Sequence, residues 1–119
     1  MKKKILVVDD DKSILQALKL VLDEFDYKAE LISDATETVE AVIKQKPDLI
    51  ILDVLLSGID GRELCKELKT NSLTKHTPIL LLSAHSSVEK NVKKYKADDF
   101  LEKPFDLDVL IGKIKKLTR

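Results

Sequence analysis

The chain has 119 residues, the size of one domain; 44% are apolar, enough for a single core, and only 4% are aromatic, so aliphatic side chains must fill it. Basic and acidic residues number 21 each, a balance that gives no general electrostatic pull on nucleic acid. No apolar run approaches the roughly 18 residues of a membrane span, and the four-residue run behind Met1-Lys2-Lys3-Lys4 is too short for a signal peptide, so a soluble, cytoplasmic protein is expected.

Ile5 to Val8 is an uninterrupted apolar run that ends in Asp9-Asp10-Asp11. Ile14, Leu15, Leu18, Val21, Leu22 and Phe25 then recur at helical spacing, with Asp11 as the natural N-cap. Tyr27, Ala29 and Leu31 alternate with Lys28 and Glu30, as in a half-buried strand. Asp34 is positioned to cap a second helix carrying Val39, Val42 and Ile43, which Pro47 stops before the run Leu49 to Leu52. That run ends in Asp53, and a loop from Val54 to Asp60 leads to a short helix, Arg62 to Lys69. After the polar loop Asn71 to Thr77, Pro78 opens the run Ile79 to Leu82, which ends in Ser83-Ala84. Ser86 or Ser87 is placed to cap a fourth helix with Val88, Val92 and Tyr95. Asp99 to Glu102 runs into Lys103-Pro104, and Asp106 caps a last helix bearing Leu107, Leu110, Ile111, Ile114 and Leu117.

Five strands thus alternate with five helices. Uninterrupted β-branched and leucine runs suit strands covered on both faces, and right-handed crossovers give a doubly wound parallel α/β sheet. The flavodoxin-like order 2-1-3-4-5 fits this count and sets the first and third strands side by side. Residues 1–119 read as one domain, with no repeat and no linker. Cys65, the only cysteine, excludes an internal disulfide and sits among helical leucines as a core residue; His76 and His85 lack ligand-like neighbours, so a zinc site is not expected.

In that fold every polar group at a strand end emerges at the same carboxyl edge, where open α/β sheets bind ligands. Carboxylates within about 4 Å repel by a few kcal/mol at an effective dielectric of about 20, so a cation must offset Asp9, Asp10 and Asp53. Mg²⁺ suits an oxygen-only set that leaves room for water and phosphate oxygens. Asp53, alone at the end of a central buried run, is the best nucleophile toward phosphorus. Asp9 and Asp10 are the best metal carboxylates, with the Leu55 backbone carbonyl available from the following loop. Lys103 and Ser83 supply an ammonium and a hydroxyl for phosphoryl oxygens, in a chemistry made mostly of positioning and charge stabilisation.

Val8-Asp9-Asp10-Asp11, Leu52-Asp53 with Gly58-Ile59-Asp60-Gly61, Leu82-Ser83-Ala84 and Phe100-Leu101-Glu102-Lys103-Pro104-Phe105 together resemble the receiver domain of two-component response regulators over essentially the whole chain. The resemblance implies phosphoryl transfer to Asp53 from a phosphohistidine on a histidine kinase or histidine phosphotransfer protein. It implies Mg²⁺ held by Asp10, the Asp53 side chain and the Leu55 carbonyl, with Asp9 acting largely through a metal-bound water. Ser83, followed by Ala84, matches the phosphate-binding switch hydroxyl, Phe100 the switch aromatic and Lys103 the phosphate-binding lysine, and a cis Lys103–Pro104 bond is implied. The switching face is that of the fourth helix, the last strand and the last helix. Leu55 and His85 occupy positions that flank the entrance for hydrolytic water. Phe100, which has no hydroxyl to satisfy, is expected to sit further inward than a tyrosine.

The chain departs from the family pattern at three places. Ser57 stands where a proline is usual. Lys96 stands where many members have glycine, so a left-handed backbone there would cost about 1 kcal/mol. The segment between Ser83 and Lys103 is short, which points to a clipped or displaced fourth helix. Two rivals remain at this level: a haloacid dehalogenase-like Mg²⁺ phosphatase using Asp9 and Asp11, and a degenerate receiver acting as a binding module. Neither direct nucleic-acid binding nor membrane association is expected. No output domain follows Arg119, so the sequence reads as a stand-alone receiver or an excised one with an unidentified downstream partner.

Overall fold

The computed structural model describes residues 2–84 and 95–119. Its elements in chain order are β1 (Lys4–Val8), α1 (Lys12–Glu24), β2 (Lys28–Ile32), a 3₁₀ turn (Ala35–Glu37), α2 (Thr38–Gln45), β3 (Leu49–Asp53), the two-residue strands β4 (Leu55–Leu56) and β5 (Ile59–Asp60), α3 (Gly61–Thr70), β6 (Ile79–Ser83), β7 (Asp99–Glu102) and α4 (Leu107–Leu117). The main sheet is parallel throughout, in the order β2-β1-β3-β6-β7. Setting aside the small antiparallel pair β4–β5, this is the expected flavodoxin-like order.

Alternation along each strand divides the core in two. Leu6, Val8, Ile50 and Leu52 pack with Val42 of α2 and with Leu64, Cys65 and Leu68 of α3. Ile5, Val7, Leu49 and Ile51 pack with Leu15, Leu18 and Leu22 of α1 and with Leu110, Ile111 and Ile114 of α4. Every residue of β3 is buried, so the central strand has no solvent face. Each large aliphatic side chain removed from water in this way contributes about 1.5–3 kcal/mol. Burial pushes the Cys65 thiol up to about 12, the behaviour of a core residue and not of a nucleophile.

Side-chain caps set the helix starts. The carboxylates of Asp11, Asp60 and Asp106 accept from the backbone N–H of Ser13, Arg62 and Asp108, each at 2.9 Å. Asp34 caps the 3₁₀ turn that leads into α2, accepting from Thr36 N–H at 3.0 Å, so the second helical segment opens more tightly wound than expected. Asp98 fixes the entry to β6. Its Oδ2 accepts from Ile79 N–H at 2.8 Å and from Lys69 Nζ at 3.0 Å.

Five helices were expected, and four α-helices occur among the described residues. The remaining pattern, with Ser86, Ser87, Val88 and Val92, lies outside them, as does His85; of its members only Tyr95 is described. The stretch Val54 to Asp60, expected as a loop, contains the β4–β5 hairpin, which closes because Gly58 adopts φ +71°. Lys96 has φ +62°, the left-handed backbone anticipated for it, and Lys46 has φ +50° at the C-terminal end of α2. The Lys103–Pro104 bond is cis. Among the described residues no helix is long and apolar enough to cross a membrane.

Candidate phosphoacceptor site

Register brings the acids together. Val8 pairs with Leu52, so the residues that follow them, Asp9 just past β1 and Asp53 at the end of β3, emerge side by side. The main chain continues the alignment across the sheet: Val54 N–H donates to the Leu82 carbonyl at 2.9 Å, and Lys103 N–H to the Ser83 carbonyl at 2.7 Å. Three strands therefore deliver Asp53, Ser83 and Lys103 to one edge with β1's aspartates beside them. Asp9 and Ser83 are each 1% exposed, and Asp53 7%.

Lys103 Nζ stands 3.4 Å from Asp53 Oδ2 and 3.7 Å from Asp9 Oδ2. Asp53 Oδ1 accepts from Leu55 N–H at 3.3 Å, and Asp9 Oδ1 from Asp11 N–H at 2.9 Å. Asp10, which is exposed, has its Oδ2 held by the backbone N–H of Ser57 at 2.9 Å. Burial, with the Asp53 charge adding to it, raises the Asp9 carboxyl to about 6 against the lowering effect of the Asp11 N–H and of Lys103. Asp10 lies below the usual carboxylate range, chiefly because the Ser57 backbone N–H and then its hydroxyl bond the ionised form.

One carboxylate oxygen from each of Asp9, Asp10 and Asp53 lies within 4.8 Å of the other two. Asp9 Oδ2 is fully buried and has no hydrogen-bond partner, although buried carboxylate oxygens are nearly always satisfied. An all-oxygen donor set with an orphaned buried oxygen fits a hard divalent cation such as Mg²⁺.

The expected site residues Asp9, Asp10, Asp53 and Lys103 are thus assembled, with Ser83 buried at the adjoining strand end and Ala84 exposed just beyond it. Leu55 is 60% exposed on the hairpin next to Asp53. Phe100 is half-buried on β7 against the α2–α3 side of the core, with Lys113 Nζ 5.7 Å from its ring centroid. Pro104 lines a shallow apolar groove with Ile14 and Phe105. Asp11 is committed to the α1 cap, so the Asp9–Asp11 pairing of a dehalogenase-like site is not assembled.

Two participants are not evident from sequence. Ser57 is visible there only as a missing proline, and its bond to Asp10 spans 47 residues. Gly61 begins α3 with its α-carbon against the Asp53–Val54 main chain, where a side chain would collide. A glycine at the first position of a helix, directly after its capping aspartate, is the one sequence signal of that approach.

The response regulator receiver domain family matches the chain over residues 5–115. The response regulator MprA of Mycobacterium leprae is 38% identical over 118 residues, which cover 98% of this chain and 51% of MprA. The chain spans about half the length of the curated relatives it matches. Among solved structures, the chemotaxis response regulator CheY4 of Vibrio cholerae superposes with a TM-score of 0.88 at 33% identity, covering 98% of this chain and 99% of that one. The response regulator protein TrrA of Thermotoga maritima, solved in complex with Mg²⁺-BeF, gives a TM-score of 0.87 at 35% identity, covering 97% and 98%.

Proposed function

The chain belongs to the response regulator receiver domain family of two-component signalling, and from that premise we propose that Asp53 is its phosphoryl acceptor. The donor is a phosphohistidine on a sensor kinase or a histidine phosphotransfer protein, and the cation is Mg²⁺. The observation that carries this reading is the convergence of Asp9 and Asp10, Asp53 and Lys103 from three separate segments, with a buried oxygen of Asp9 left without a hydrogen bond.

The residues that would hold the cation are Asp9, Asp10 and Asp53, with the Leu55 carbonyl in the adjoining hairpin. When bound, Mg²⁺ supplies the positive charge that offsets the crowded carboxylates and the phosphoryl oxygens. The Asp53 carboxylate forms the new O–P bond as the P–N bond of the donor breaks. The electron pair of that bond stays on the imidazole nitrogen, and a proton on the other ring nitrogen makes the leaving group neutral. Lys103, already 3.4 Å from Asp53 Oδ2, meets a phosphoryl oxygen through its ammonium, and the Ser83 hydroxyl donates to another.

The switch follows from the same contacts. Movement of Ser83 toward the new phosphoryl oxygens frees space beside Phe100, whose ring carries the change to β7 and α4. Leu55, exposed beside the acceptor, limits the approach of water and so lengthens the lifetime of the acyl phosphate; His85, two residues past Ser83 in sequence, is assigned a part in the same hydrolysis. The chain acts as a signalling protein that catalyses only its own phosphorylation and slow dephosphorylation. Residues 1–119 act as one receiver unit in a cytoplasmic setting, passing the signal to a downstream partner without contacting nucleic acid or membrane.

The test is incubation with Mg²⁺ and acetyl phosphate followed by mass spectrometry. One labile phosphate should appear, vanish on treatment with hydroxylamine, and be missing with EDTA or in Asp53→Ala. Incorporation that persists in Asp53→Ala would overturn the assignment.

A further inference from the structure

The β4–β5 hairpin turns on two residues, Ser57 and Gly58, between the paired Leu56 and Ile59. Gly58 has a positive φ and Ser57 does not, the pattern of a type II turn. At the first central position of such a turn the backbone N–H takes no part in the hairpin, which is why proline is accepted there. In this chain that N–H is used outside the hairpin. It donates to Asp10 Oδ2 at 2.9 Å.

We propose that Ser57 is a positioning residue for cation capture: its backbone N–H holds Asp10 in the orientation that places one of its oxygens within 4.8 Å of those of Asp9 and Asp53. Asp10 is exposed, and without this bond its side chain would rotate away from two neighbouring carboxylates that repel it. A carboxylate accepts up to about four hydrogen bonds, so one from Ser57 leaves capacity for a metal. The same bond tethers the hairpin that carries Leu55 to the end of β1. Groups that orient a metal ligand in this way typically govern affinity by about ten- to a hundredfold.

The inference rests on the reading of the acidic cluster as a Mg²⁺ site, and the experiment separates the two. Mg²⁺ is titrated calorimetrically into the full chain as wild type, Ser57→Ala and Ser57→Pro, with the metal-free unfolding transition of each recorded alongside. Ser57→Pro fits the turn and removes the donor, so its dissociation constant should rise about ten- to a hundredfold while the unfolding transition stays close to that of wild type. Ser57→Ala keeps the N–H and should bind Mg²⁺ within about threefold of wild type. If the proline variant fails to fold, amide hydrogen exchange of the metal-free wild type decides: the Ser57 N–H should be protected, and exchange at the rate of an open amide overturns its role. Unchanged affinity in folded Ser57→Pro overturns the role of Ser57 and leaves the Mg²⁺ site standing. Absence of Mg²⁺ binding by the wild type overturns both.

Discussion

Gly61 packs its α-carbon against the main chain of Asp53: a β-carbon there would run into the Asp53 carbonyl oxygen and stand 2.8 Å from the Val54 α-carbon. Main-chain atoms at the end of a fully buried strand cannot yield as a flexible side chain can. Gly61 N–H also donates to the Val54 carbonyl at 2.8 Å, so α3 is tied directly to the residue after the acceptor. Gly61→Ala should therefore lower stability by about 1–3 kcal/mol in urea denaturation, the usual result of overpacking. It should also slow phosphate incorporation by displacing Asp53.

The raised Asp9 carboxyl predicts an unusual pH dependence of the metal-free protein. The folded state binds the proton more tightly than the unfolded chain, because its pKa is about 6 against an unfolded value of 3.8. The stabilisation is complete below the unfolded value and is lost as pH rises through about 6. In EDTA, stability should therefore increase from pH 7.5 down to about pH 4.5, by of the order of 2 kcal/mol from this group. Asp9→Asn should flatten the melting-temperature profile over that range. Mg²⁺ should raise the melting temperature at pH 7.5 and have little effect at pH 4.5, where protons compete for the ligands.

Lys103 compensates the charges of Asp9 and Asp53 at once, at 3.7 and 3.4 Å. Lys103→Met keeps the stem and removes the ammonium. At pH 7.5 it should lower the melting temperature of the metal-free protein, and the deficit should shrink at pH 5, where Asp9 is largely neutral. Phosphate incorporation from acetyl phosphate should slow by about a hundredfold, the scale seen when one preorganised donor to a charged transition state is lost.

Lys46 and Lys96 hold left-handed backbone, with φ +50° and +62°. Glycine accepts this conformation without the contact between Cβ and the carbonyl oxygen. Lys46→Gly and Lys96→Gly should each stabilise the fold by about 0.5–1 kcal/mol, reduced somewhat by the greater freedom of glycine in the unfolded chain. Equilibrium denaturation of the two single variants would measure it, and a drop in stability would show that each lysine makes contacts worth more than the strain.

Much of the architecture can be read along the chain because one-dimensional patterns carry it. Three aliphatic runs that end in polar residues identify buried parallel strands, and helical spacing from Ile14 to Leu22 and from Leu107 to Leu117 identifies their covering helices. Asp11 and Asp106 cap the helices they precede, as their positions suggest. The small hairpin inside Val54–Asp60 was not legible, because two-residue strands have no periodicity to display. The turn at Gly58 becomes a hairpin only once β4 and β5 are seen to pair.

The site divides in the same way. Sequence alone determined which residues end the strands, and hence that Asp9, Asp10, Asp53, Ser83 and Lys103 share one edge, because strand direction and crossover handedness leave few alternatives. Tertiary structure alone decided how they meet. The register of β1 with β3 crowds two carboxylates, Lys103 lands between them, one Asp9 oxygen is left without a hydrogen bond, and Ser57 reaches back to Asp10. Those outcomes depend on distances of a few ångströms between residues far apart in the chain, and only packing of the whole sheet fixes them.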